Sequence, residues 1–154
     1  MLILFAYWGN MKFTIEIVIN LPVQRVTELF DKPGNLKHWM TGLESFEHIS
    51  GSPGEPGAKS KLVFNHSGRK LVMIETITEK NLPESFAGTY ETKGMLSNNK
   101  NSFVAIAADK TKLISEQDFQ LLGMYKLIGW LFPGLFKKQS IKFLNAFKEF
   151  AEKS

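Results

Sequence analysis

The sequence predicts an α+β domain in which a curved antiparallel sheet wraps around one long C-terminal helix. Three observations carry this. "MKFTIEIVIN" opens with clean period-two alternation, turn residues then recur at short intervals up to residue 122, and the remaining chain is helical in pattern with one aromatic face.

In the first strand Phe13, Ile15, Ile17 and Ile19 share one face, while Lys12, Thr14, Glu16 and Asn20 mainly occupy the other. The preceding "MLILFAYWGN" lacks a basic n-region and a small-residue cleavage site, and its apolar run is too short to span a bilayer. With Met11 directly before the strand, residues 1–10 read as an N-terminal extension and residues 11–154 as a single domain. The alternative is a short hydrophobic anchor, or a segment that adds to a neighbouring molecule.

Pro22 opens a helix of about two turns, since Val23, Val26, Leu29 and Phe30 fall at helical spacing and proline suits a first turn whose N–H has no partner. "PGNLKHWM" reads as a second short helical segment ending before Gly42. Strands follow near residues 43–50, 59–66, 70–79, 84–96, 102–108 and 112–122. The turns between them are "GSPGEPG", "HSGRK", "KNLPE", "SNNKN" and "ADKTK". With the first strand these six make a seven-stranded meander. In the final helix Phe143, Leu144, Phe147, Phe150 and Ala151 form one arc, opposite Lys137, Lys138, Lys142, Asn145, Lys148, Glu149 and Glu152. Pro133 interrupts it, leaving 124–132 as a separate turn or kinked lead-in. Two short helices cannot fill the concave side of such a sheet, so space is expected between the sheet and the long helix.

Composition narrows the function. At 154 residues, 44% hydrophobic and 22% charged, the chain has the makings of one soluble core. Without cysteine there is no disulfide, thiolate zinc site or cysteine nucleophile, which suits a cytoplasmic location. The net charge of +4 comes mostly from dispersed lysines, with Arg25 and Arg69 the sole arginines, which argues against nucleic-acid binding. His38, His48 and His66 lack metal-ligand spacing, and phosphate-loop, dinucleotide and nucleophile-elbow motifs are absent. Neither a metal nor a cofactor is expected, and nothing in the chain signals an oligomeric state.

The segments "KFTIEIVINLPVQRVTELFDKPGNLKHWM", "GSPGEPGAKSKLVF" and "MIETITEKNLPESF", together with the closing amphipathic helix, resemble the helix-grip superfamily. That superfamily, also called SRPBCC, includes START domains, birch-pollen-allergen-like proteins and polyketide cyclases. The resemblance covers roughly residues 11–154 and implies a hydrophobic small molecule held between sheet and long helix, turned over by acid–base chemistry in some members. It places Trp39 after the second short helix, and Phe143 and Phe147 on the cavity-facing stripe. No catalytic signature of the better-known enzymes is present.

Glu75 is the most informative charge. One face of "KLVMIETIT" carries Leu71, Met73, Glu75 and Ile77, the other Val72, Ile74, Thr76 and Thr78. If the first face is concave, Glu75 sits in an apolar pocket where desolvation raises its pKa and suits it to proton transfer or to holding a polar ligand group. If the strand turns the other way, the carboxylate is solvated. Tyr90 shares a face with Phe86 and offers a hydroxyl to the same place or to a backbone group. The resemblance makes Trp39, Phe64, Met73, Phe119, Met124 and Trp130 candidates for lining; periodicity alone makes them core.

"KLIGWLFPGLFKK" holds an uncharged run too short to cross a bilayer. Its apolar residues either close one end of the cavity, the favoured reading, or dip into a headgroup layer. Three functions are thus expected in order: binding of a lipid-like or polyketide-like molecule in an interior cavity; a cyclase or dehydratase with Glu75 as general base and Tyr90 as donor; and a membrane- or protein-interaction module built on residues 126–138 and the N-terminal extension.

Overall fold

The structure, a computed structural model, describes residues 10–154. The expected extension therefore lies outside the described residues apart from Asn10, which already belongs to the first strand. The strands are β1 (Asn10–Ile19), β2 (Leu43–Ser50), β3 (Lys59–His66), β4 (Arg69–Asn81), β5 (Ser85–Thr92), β6 (Met95–Ala107) and β7 (Lys110–Leu121). The helices are α1 (Val23–Phe30), α2 (Leu36–Trp39), α3 (Met124–Leu131) and α4 (Leu135–Glu152), with a single 3₁₀ turn at Pro33–Asn35.

All seven strands form one antiparallel sheet in the order β1-β7-β6-β5-β4-β3-β2, so the chain's first strand pairs with its last. Strands β2 to β7 are joined as a meander, and the β3–β4 link is a two-residue hairpin in which Ser67 and Gly68 both take positive φ, as a type I′ turn requires. Two expected boundaries move. "SNNKN" is not a turn: it is the interior of β6, laddered to β5 and β7 from Ser97 to Asn101. The turn lies instead at Lys93-Gly94, where Gly94 takes φ of 87°. Pro22 sits just ahead of α1 as its N-cap rather than inside it.

Helix α4 crosses the inner face of the sheet and buries Leu144, Phe147 and Ala151. Its far end is tied to β1, where Lys148 Nζ donates to the Val18 carbonyl at 2.6 Å and the Asn20 amide donates to Glu152 at 2.8 Å. Helices α1 and α2 close one end of the concave side with a cluster of rings. Phe30 is its hub, 5.2–5.7 Å from Phe86, Phe103, Phe147 and Trp39 by ring centroid. At the opposite end a smaller cluster gathers Met95, Phe119 and Leu121 with Met11, Tyr125 and Phe136.

Phe147 is fully buried and touches both Phe30 and Trp39. Truncating it to alanine is expected to cost roughly 3–5 kcal/mol, the range for a buried ring that leaves a cavity. Equilibrium urea unfolding of Phe147→Ala reads this directly.

Candidate functional site

Directly opposed residues in an antiparallel ladder point to the same face, so the register fixes what lines the inner surface. One transverse row runs Ser60, Glu75, Tyr90, Ser97, Phe119 and Met11 across β3, β4, β5, β6, β7 and β1. The next runs Ile77, Gly88, Asn99, Gln117 and Phe13. Phe119 packs on Phe136 of α4, which identifies this face as the concave one. Glu75 is therefore inside, 7% exposed.

These rows put a belt of polar groups between the two apolar clusters. Ser97 Oγ donates to Asn99 Oδ1 at 2.6 Å, and Gln117 Nε2 donates to Ser115 Oγ at 3.0 Å. Ser140 of α4 closes the belt by donating to Gln117 Oε1 at 2.6 Å. Met73 and Phe13 border both apolar clusters and stay only partly buried. Beside them Gly88 contributes no side chain, and the three atoms nearest to a Cβ added there are β4 backbone, led by the Thr76 carbonyl oxygen at 3.1 Å.

Burial pushes the Glu75 carboxyl above its ordinary value, and hydrogen bonding from Tyr90, its neighbour across the ladder, works against that shift. The Tyr90 phenol is held well above its usual value, first by burial and then by the adjacent Glu75 carboxylate, so it stays protonated and serves as a donor. A carboxyl with a raised pKa beside a phenol donor can orient a polar group or exchange a proton with one.

Of the expected lining residues, Phe64, Met73, Phe119, Phe143 and Tyr90 lie on the concave side with Glu75. Phe64 stacks on Phe143 at 6.3 Å. Trp39 and Phe147 are deeper, inside the ring cluster, where the Trp39 indole nitrogen is buried without a hydrogen-bond partner among the described residues. Trp130 and Met124 are elsewhere: 63% and 69% exposed on the outward side of α3, they neither line nor close the inner space. The reason is that α3 approaches the sheet through Gly129, whose added Cβ would lie 2.6 Å from Leu121. Sequence reasoning missed Ser60, Ser97, Asn99, Ser115, Gln117 and Ser140. Period-two counting from Leu113 places Ser115 and Gln117 on the inner face, whereas reading "SNNKN" as a turn hid Ser97 and Asn99.

An open groove of about 470 Å³ is walled by outward residues such as Lys12, Lys100, Glu116 and Asp118, and it also reaches Phe13, Gly88, Asn99 and Gln117 of the inward row. A second of about 380 Å³ lies at the sheet end near Gly94, Gln120 and Leu122. Neither is lined by Glu75 or Tyr90.

No family model matches the sequence, and no curated protein matches it. Solved structures do. Ara h 8.0201 aligns with 95% of this chain and 100% of its own at 16% identity and a TM-score of 0.75. An aromatase/cyclase from Streptomyces aligns with 94% of both chains at 14% identity and 0.78. Norcoclaurine synthase from Thalictrum flavum, in complex with a transition-state analogue, covers 94% of this chain and 95% of its own at 13% identity and 0.71.

The raised pKa has a stability consequence of definite sign. The folded state holds the Glu75 proton to higher pH than the unfolded chain, so stability falls as pH rises from about 4.5 through the folded pKa. Glu75→Gln should melt about 2–4 °C higher than the parent at pH 7, corresponding to ~1 kcal/mol, with the gap closing towards pH 4.5 in thermal melts. Tyr90→Phe should move the Glu75 titration further up.

With its seven-stranded antiparallel sheet, two short helices after the first strand and long C-terminal helix, the chain has the helix-grip fold.

Proposed function

We propose that the protein binds a hydrophobic or amphipathic small molecule, lipid-like or polyketide-like, on the concave side between the sheet and α4. One observation carries this reading. In mid-sheet, between two packed clusters, the inward residues Phe13, Met73, Tyr90 and Phe143 keep accessible surface while a carboxyl lies buried among them. Inward apolar groups that remain partly accessible offer area for a ligand to cover, at roughly 25 cal/mol per Å². Glu75, Tyr90 and the Asn99–Gln117 belt would set its orientation, in keeping with an apolar site that carries a few convergent polar groups.

The Glu75–Tyr90 pair also favours a second reading, a cyclase- or dehydratase-type enzyme in which Glu75 takes a proton and Tyr90 donates one. Two of the similar structures are described as an aromatase/cyclase and a synthase, which keeps that reading alongside the first.

Binding of the fluorescent probe 1-anilinonaphthalene-8-sulfonate tests the location. Met73→Trp, which fills the space, should weaken binding tenfold or more, while Glu75→Gln should leave probe affinity within about threefold. Unchanged binding to a folded Met73→Trp variant would contradict an inner site. Against a polyketide-like aromatic substrate, turnover that is lost in Glu75→Gln while binding persists supports the enzyme; turnover that survives rules out Glu75 as its base.

A further inference from the structure

Helix α3 leaves most of its large apolar residues outside. In a helix packed on a sheet these face inward, yet α3 meets the sheet through Gly129, its one buried residue, flanked by the partly buried Tyr125 and Ile128. Met124, Leu127, Trp130 and Leu131 face outward, and Phe132, in the elbow to α4, is 61% exposed. Leu122 before the helix and Leu135 after the elbow extend the same surface. No helix of the described residues is long and apolar enough to cross a membrane.

The segment that carries this surface has charge of one sign, with Glu91 of β5 the acidic group beside Leu122. From Phe119 to Lys148 the chain contains five lysines and no aspartate or glutamate. Lys148 is engaged with β1 and Glu152. Lys138 and Lys142 share the outer arc of α4 with Leu135, and Lys137 lies on the flank about 100° round the helix from Lys138; all three are exposed. Exposed aromatic and aliphatic side chains flanked by lysines match an anionic bilayer surface, with the rings entering the headgroup layer and the ammonium groups meeting phosphates. A protein partner would need acidic groups around an apolar pocket; a bilayer needs no shape complementarity, only exposed apolar groups beside cations.

We infer that the α3–α4 elbow is a docking surface for an anionic lipid bilayer, with Trp130, Leu131, Phe132 and Leu135 inserting and Lys137, Lys138 and Lys142 contacting headgroups. This does not rest on the reading of the inner site.

Flotation of the full chain with phosphatidylcholine–phosphatidylglycerol vesicles, against phosphatidylcholine alone, tests it. The parent should float with the anionic vesicles, much less with neutral ones, and less as salt rises. Trp130→Ala/Phe132→Ala and Lys137→Glu/Lys138→Glu/Lys142→Glu should each reduce partitioning tenfold or more, with melting curves confirming that these surface variants fold. Lys59→Glu/Lys61→Glu, on the far strand β3, should leave it unchanged. Failure of the parent to float overturns the inference, as does an equal loss in the β3 control, which would reduce the effect to net charge. So does a dimer in sedimentation velocity that dissociates on Trp130→Ala/Phe132→Ala without vesicle binding, which would make a second copy the occupant.

Discussion

One helix cannot cover seven strands. The sheet is about 29 Å wide at ~4.8 Å per strand spacing, whereas a helix with its side chains is about 10–12 Å across. Helix α4 therefore shields a stripe of the inner face, and the remainder needs other cover. At one end α1 and α2 provide it through Phe30 and Trp39. At the other, Phe136 and Tyr125 provide it against Phe119 and Met95. The middle is left to a polar belt and to side chains that keep some accessible surface.

That geometry gives Glu75 its chemistry. The register sets it across from Tyr90 on one side and Ser60 on the other, in a row that continues through Ser97. A carboxyl held there loses hydration, which makes its proton harder to remove; the hydrogen bond from the phenol offsets part of that shift. Buried polar groups are tolerated when satisfied, and the Ser97–Asn99 and Ser115–Gln117–Ser140 links satisfy much of the belt. The same geometry bears on the exterior: α3 reaches the sheet through Gly129 and Tyr125, which leaves Met124, Leu127, Trp130 and Leu131 exposed.

Much of this was legible in the chain, for reasons that vary by element. β1 could be read because four large apolar residues alternate without interruption, and α4 because its aromatic arc repeats over several turns. Glu75's face was legible as a choice of two; only the ladder to Tyr90 and the α4 contacts select the inner one. "SNNKN" misled because serine and asparagine favour turns locally, yet hydrogen bonding from both neighbouring strands holds them extended. Trp130 misled because eight residues of mostly apolar helix carry no phase, and what sets the phase is the clearance at Gly129.

The proposed binding role requires the middle of the concave face to be an apolar, ligand-accessible environment around one carboxyl. Carbon-13 NMR titration of the Glu75 side-chain carboxyl, with and without saturating 1-anilinonaphthalene-8-sulfonate, tests it most directly. The expected midpoint lies above the ordinary glutamate value of 4.5 and climbs further when the probe displaces the remaining water. A midpoint at the ordinary value, unmoved by the probe, would mean a solvated carboxyl and no inner site.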